Sequence, residues 1–305
     1  MKIAAERLGN IARHAPEAIV PYSYAGTMGL VQGESIAACL WNVLGASRLD
    51  RTICAAAGAT GLKYTYGASL GVRHERRVFP GKRNHLDLGA NPIASSLHFW
   101  TLAQEAKRRG TKLIAIDSYK SLSAEKCHQH IVLRPGTDAA LALMIHVLIR
   151  ENLVDRAYID AHTLGFDELA ERAAQYPPSR VAQVCGISDG EVIDLACAFG
   201  STKKAAIRLN YGMQRTRGGG NAVRAAACLP SLTGAWCERA GGLLLSSSGW
   251  APVGLLITVR SSVPIYCLTG PRRYAHHQYE RDHMNATGDA LLHPGDEIFA
   301  RRSKR

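Results

Sequence analysis

The sequence predicts an α/β protein: a three-layer, Rossmann-like parallel-sheet domain together with an incomplete second α/β domain. Three observations predict this. From Gly89 to Asp138, short apolar runs of strand length alternate with amphipathic stretches of helix length. The same strand–turn–helix order returns between Ala205 and Gly234. Glycines stand just beyond three of the helical stretches, at Gly45, Gly110 and Gly234, where a left-handed C-cap sits.

Taken in order, Met1 to His14 is a charged amphipathic helix without the apolar centre of a signal peptide. Ala18 to Tyr24 is expected as a strand running into a Gly26–Gly29 loop, and Glu34 to Leu44 as the helix that follows. Residues 51–61 are small residues and glycines around Cys54. Such neighbours suit a tightly packed helix with a core cysteine, and they equally suit a backbone that lets a bulky ligand approach an accessible thiol. Residues 72–88 break the pattern, because a strand should precede Gly89 and the chain there reads Lys82-Arg83-Asn84-His85-Leu86-Asp87-Leu88.

Gly89-Ala90-Asn91-Pro92 is a tight polar turn, with Ser95 and Ser96 as candidate N-caps for a helix over Leu97 to Arg109. Lys112 to Asp117 is a short buried strand ending in an acid. A second strand, Ile131 to Leu133, leads through Pro135-Gly136-Thr137-Asp138 into a helix capped by Asp138 and running from Ala139 to Arg150. Helices over 154–162, 167–174, 179–184 and 188–199 follow. Ala205 to Asn210 is a strand with Tyr211-Gly212-Met213-Gln214 at its carboxyl end. Gly218-Gly219-Gly220 opens a helix from Asn221 to Leu232, and Gly241 to Leu245 completes the regular pattern. The pattern lapses over 251–283 and returns weakly over 284–299.

A length of 305 residues leaves room for about two domains. The boundaries expected are 50–249 for the Rossmann-like domain and 1–49 with 250–305 for the second. No apolar run has the ~18 residues that a membrane span needs. Eight cysteines without a CxxC pair read as reduced thiols, which points to the cytoplasm. The net charge of +12 collects in three places. These are Arg73, Arg76, Arg77, Lys82 and Arg83, then the arginines of 260–283, then the tail Arg301-Arg302-Ser303-Lys304-Arg305. A nucleic-acid surface would interleave basic residues with the folded pattern, so no nucleic-acid partner is expected.

Several residues invite chemistry. Loops at the carboxyl ends of strands, helix N-termini for phosphates and an acid for a ribose or base are the wiring of a nucleotide-binding half. The glycine triplet 218–220 offers free N–H groups to an anion, or is simply a flexible turn. Cys127-His128-Gln129-His130 has metal-ligand residue types, but no second ligand pair stands at a suitable spacing.

Gly89-Ala90-Asn91-Pro92 with Ser95, the strand to Asp117, Pro135-Gly136-Thr137-Asp138, Tyr211-Gly212-Met213-Gln214 and Leu232-Thr233-Gly234 stand in one order. Together they resemble the molybdopterin oxidoreductases, the dimethyl sulfoxide reductase and formate dehydrogenase group. The similarity covers roughly residues 1–71 and 89–249. It implies a bis(molybdopterin guanine dinucleotide) cofactor with molybdenum. Asn91, Asp117 and Asp138 would hold one guanosine end, with Gly89, Ser95 and Gly136 in the same turns. Gly212 and Gln214 would lie beside the pterin. Cys54 falls where the family places its molybdenum ligand, seven residues before Gly61, which makes it the candidate catalytic residue.

The implied reaction is oxygen-atom transfer or a related two-electron redox step on a small substrate, with an electron-transfer partner that the sequence does not name. Departures from the family pattern are Ala55 in place of a histidine, no arginine near Ser247, and Ser118-Tyr119 in place of Pro-Arg after Asp117. The first two argue against formate oxidation. The family's N-terminal domain, which often carries an iron–sulfur cluster, and its C-terminal barrel-like domain have no counterpart here. The chain therefore reads as a central fragment, inactive alone, in which 72–88 and 251–283 look like translation in a wrong frame. The alternative is a non-catalytic subunit similar to the large iron–sulfur subunit of respiratory complex I. An ordinary dinucleotide-binding Rossmann protein is disfavoured by the absence of G-x-G-x-x-G after a first strand.

Overall fold

The computed structural model describes residues 1–22, 36–47, 55–67, 84–88, 90–238 and 241–245. The chain divides into two compact units, Met1–Ile53 with Trp250–Ala286, and Cys54–Gly249 with Thr287–Arg305. The first contains helix α1 (Lys2–His14), which buries no residue, and α2 (Ile36–Leu44). Residues 18–22 do not form the expected strand. Pro16 fixes the backbone for a 3-10 turn over Pro16–Ala18 instead. The carbonyl of Ile19 then accepts from the N–H of Ser47, and that of Glu17 from the Ser47 hydroxyl.

The second unit is built on five parallel strands: β1 (Asn84–Leu88), β2 (Lys112–Asp117), β3 (Gln129–Val132), β4 (Ala205–Leu209) and β5 (Gly242–Leu244). Their order across the sheet is β3-β2-β1-β4-β5. β1 is central, with Leu86 opposite Ile114 of β2 on one side and Ile207 of β4 on the other. This corrects the reading that the chain lacks a strand before Gly89. A polar, charged pentapeptide takes that place because both of its edges are paired, and ladder hydrogen bonding does not depend on side-chain type.

The helices follow from the sequence. α3 (Ala56–Tyr66) precedes β1, and α4 (Pro92–Ser95) with α5 (Leu97–Arg108) lies between β1 and β2. α6 (Leu122–Glu125) links β2 to β3. Between β3 and β4 stand α7 (Asp138–Ala142), α8 (Ile145–Arg150), α9 (Arg156–His162), α10 (Phe166–Ala174), α11 (Pro178–Cys185) and α12 (Asp189–Gly200). The single helix expected over 139–150 is thus two, and Thr137, not Asp138, occupies its N-cap position. The break is a tightening: Leu143 and Met144 bond back three residues to Ala140 and Leu141. α12 opens with a reciprocal Ser188–Glu191 capping box. α13 (Tyr211–Gln214) and α14 (Gly219–Leu232) follow β4.

Alternation along β2 sends its side chains to different partners. Leu113 packs with Trp100 and Ala103 of α5. Ile114 and Ile116 join the main core with Ile131, Ile207, Leu209, Val147, Leu148, Val181, Phe199 and Val223. Each such aliphatic side chain contributes about 1.5–3 kcal/mol on burial.

α3 crosses α14 at glycine. A Cβ on Gly61 would lie 2.5 Å from the Gly220 carbonyl oxygen, and one on Gly220 3.0 Å from that of Ala57. The two backbones therefore touch, and Tyr66 donates its hydroxyl proton to the Ala227 carbonyl further along the same contact. Gly61→Ala should destabilise the chain by about 1–3 kcal/mol, because the obstacle is backbone and cannot rotate away; urea unfolding measures it.

At the amino end of the sheet, Asp155 caps α9 through the N–H of Tyr158 at 3.0 Å and meets Lys203 Nζ at 2.5 Å. The lysine first, then the Tyr158 N–H, hold the Asp155 carboxyl below its usual range. A depressed acid stabilises the fold above its unfolded pKa and loses that effect as pH falls through the folded one. Asp155→Ala should therefore cost about 1 kcal/mol at pH 7, mostly the lost cap. The deficit should close as the pH drops below about 4, which thermal melts across pH 3–7 follow.

Candidate cofactor site

The strand order reverses at β1: the chain moves outward through β2 and β3, then returns to place β4 on the other side of β1. Ligands of open parallel sheets bind in the crevice beyond the carboxyl ends at such a reversal. Most of the sequence-predicted residues are at this edge. Asn91 follows β1 at the N-cap position of α4. Asp117 ends β2, Gly136 and Asp138 follow β3, and Gly212 and Gln214 follow β4. Cys54 and Gly89 lie outside the described residues.

Asn91 is held by groups from the loop after β2. Its Oδ1 accepts from the buried Ser123 hydroxyl at 2.6 Å, and its Nδ2 donates to the Tyr119 hydroxyl at 3.4 Å. Ser95 does not cap a helix: its hydroxyl donates to the Asn91 carbonyl at 2.9 Å. Ser96 occupies the N-cap of α5 but makes no side-chain cap. Asn210, at the end of β4, donates to Ser95 Oγ at 3.5 Å while its Oδ1 accepts from the N–H of Tyr211. The loops after β1, β2 and β4 are thereby laced across the reversal.

Asp117 and Asp138 are electrostatic neighbours. Asp117 Oδ1 accepts from the Ser118 N–H at 2.7 Å. Burial, and to a lesser degree the Asp117 carboxylate, push the Asp138 carboxyl up against the pull of its own N–H. The loop before Asp138 turns at Gly136, whose φ of +80° favours glycine. It is pinned by Arg134, whose N–H donates to the Cys185 carbonyl at 2.8 Å.

Gly212 is exposed and Gln214 is buried at 4%. Gln214 Oε1 accepts from the N–H of Gly58, and its Nε2 has no partner among the described residues. Two carboxylates, a hydroxyl, a pinned carboxamide and one orphaned buried N–H donor suit a ligand with both hydrogen-bond donors and acceptors, as a nucleotide-linked pterin has. Among the described residues, the run Cys127–His130 joins no group of three or more metal-ligand side chains. His128 Nδ1 accepts from the Leu113 N–H at 2.9 Å. Among the described residues, no two cysteines are joined in a disulfide.

Four residues of this constellation escape a sequence reading: Ser123, Tyr119, Asn210 and Gly58. Only Asn210 carried a signal, an asparagine between a strand and a helical turn, which is an N-cap position.

The family profile for molybdopterin oxidoreductase matches residues 87–287. The chain belongs to the molybdopterin oxidoreductase family. The matched range includes residues 251–283, where the sequence pattern alone shows no continuation. The family uses a molybdopterin cofactor carrying molybdenum. The chain is 38% identical over 240 residues to the probable oxidoreductase YoaE of Bacillus subtilis, covering 78% of this chain and 35% of that protein. It is 33% identical over 201 residues to the dimethyl sulfoxide reductase DmsA of Haemophilus influenzae, covering 58% of this chain and 25% of that protein. Among solved structures it is similar to the acetylene hydratase of Pelobacter acetylenicus, at a TM-score of 0.60 and 26% identity over 78% of this chain and 32% of that one. The chain thus spans about a third or less of these relatives' length. Among the described residues, no helix is long and apolar enough to cross a membrane.

An acid whose pKa is raised on folding favours the fold at low pH and loses that advantage as the pH climbs through the raised value. Asp138→Asn should therefore raise the melting temperature at pH 7, and the difference should vanish below about pH 4. Melting curves from pH 3 to 7 measure it; a variant less stable at pH 7 would mean that hydrogen bonding to the carboxylate outweighs its burial.

Proposed function

We propose that this chain is part of a molybdenum-dependent oxidoreductase and binds one guanosine half of bis(molybdopterin guanine dinucleotide). Residues 50–249 are the Rossmann-like cofactor domain, and 1–49 with 250–305 an incomplete second α/β domain. The observation that carries the reading is the gathering of Asn91, Asp117 and Asp138 after three successive strands at the reversal of the sheet. Helices packed against alternate sides of β2 support the three-layer description.

In this reading the Asp117 and Asp138 carboxylates accept hydrogen bonds from ribose hydroxyls or guanine N–H groups, and Asn91 fixes the turn that faces them. Gly136 lets the loop before Asp138 approach the nucleotide, Gly89 would do the same before Asn91, and Ser95 braces the Asn91 turn through Asn210. Gln214, with Gly212 beside it, offers its buried Nε2 to the pterin. Cys54 supplies a soft thiolate to molybdenum. The bound centre supplies two-electron chemistry, such as oxygen-atom transfer with a small substrate, and the protein positions and tunes it. An iron–sulfur cluster would belong to a domain other than this one. The reductase and oxidoreductase relatives favour a redox enzyme over a non-catalytic subunit. A hydratase also shares the domain, so the domain holds the cofactor while the choice of reaction rests elsewhere in the protein.

Two measurements test this. Titrating the chain with GDP should show binding that Asp117→Ala weakens by about tenfold or more, the loss of one charge-assisted hydrogen bond; unchanged affinity would remove Asp117 from the site. Expressed in a host that makes the cofactor, the chain alone should carry no stoichiometric molybdenum and no viologen-linked activity. Metal analysis and a reductase assay read this out, and a loaded, active chain would overturn the one-half reading.

A further inference from the structure

Helix α3 begins without a cap of its own. It follows Ala55 and opens Ala56-Ala57-Gly58, and no side chain there accepts from the free N–H groups of the first turn. The N–H of Gly58 donates instead to Gln214 Oε1, 156 positions later in the chain. Only glycine permits the approach: a Cβ at 58 would lie 2.9 Å from the Gln214 amide carbon and 3.0 Å from Leu245 Cδ2. Gln214 ends α13 and packs against the start of α14, where Gly219 leaves room for its backbone. Both ends of the contact are buried.

We propose that Gln214 serves, through its side chain, as the N-terminal cap that Ala55 cannot supply to α3, reaching it from α13 after β4. It is a positioning residue that fixes where α3 starts, while the Gly61–Gly220 crossing fixes how closely the helix lies on α14. The cap also settles the orientation of the amide. Exchanging oxygen and nitrogen would set a donor against the Gly58 N–H, so Nε2 is left as the free end, whatever ligand the carboxyl edge takes. A helix whose start is held by a residue of the site loop cannot shift along its axis without disturbing that loop.

Amide hydrogen exchange on the full chain tests this at one N–H. Gln214→Met keeps the bulk and removes the acceptor; Gln214→Glu keeps an acceptor of the same reach, at a helix N-terminus that favours negative charge. Exchange at Gly58 should speed up by about tenfold or more in Gln214→Met, with Ile114 and Leu148 unchanged as core references. In Gln214→Glu it should stay within about threefold of wild type. Unaltered Gly58 exchange in Gln214→Met, or equal acceleration in both variants, would overturn the assignment. Should Gln214→Met fail to fold, recovery of folding by Gln214→Glu supports the cap, and failure of both refutes it.

Discussion

Backbone hydrogen bonding along Asn84–Leu88 holds the second unit together. This strand pairs with β2 on one side and β4 on the other, so each half of the sheet reaches the other only through it. Its sequence, Asn-His-Leu-Asp-Leu, is largely polar, and ladder pairing does not depend on side-chain type. The arrangement rests on ladder hydrogen bonds from the strand's backbone N–H and C=O groups, where a buried group left unpaired would cost about 1–3 kcal/mol. The carboxyl-edge site inherits its geometry from that pairing, because the turn carrying Asn91 leaves the strand where the order of the sheet reverses.

The site is laced by side chains as well as by the sheet. Asn91 bonds to the loop after β2 and Ser95 to the residue ending β4, while Gln214 reaches back to α3. These contacts consume the hydrogen-bonding capacity of most of the polar groups involved. Among the described residues, four buried side-chain nitrogens lack a partner, and Gln214 Nε2 is one of them. A polar network that is satisfied nearly everywhere localises the binding potential at what remains, which is the physical content of a preformed site.

Much of this was legible in the sequence, and the limits are instructive. Lys112–Asp117 could be read to the residue because a buried parallel strand is a continuous apolar run bounded by polar ends. The helix expected over 188–199 stands within one residue of that range, at Asp189–Gly200, because its start signal is local. The strand before Gly89 could not be read, since its pairing neighbours stand 28 and 121 positions away, Lys112 and Ala205 for Asn84, and tertiary pairing overrides propensity. Ala18–Tyr22 misled for the opposite reason: its β-branched and aromatic residues have strand propensity but find no strand to pair with among the described residues. Gly58 and Ser123 were invisible because their partners are distant in sequence, and a glycine that admits a carboxamide looks like any other small residue.

The position of β4 has a consequence in time. Its partner β1 is synthesised roughly 120 residues earlier, so at about 5–20 residues per second the ribosome leaves one side of β1 without its neighbour for roughly 10 s. Parallel pairing over such a separation is intrinsically slow, because the intervening chain must order before the contact rewards it. During that interval the nascent chain presents an open strand edge of the kind that recruits other chains. The helices α7 to α12, all made within the same interval, are mostly local structure and can form while it lasts. Yield during synthesis would then depend less on how stable the finished sheet is than on how quickly those helices fold and bring β4 home.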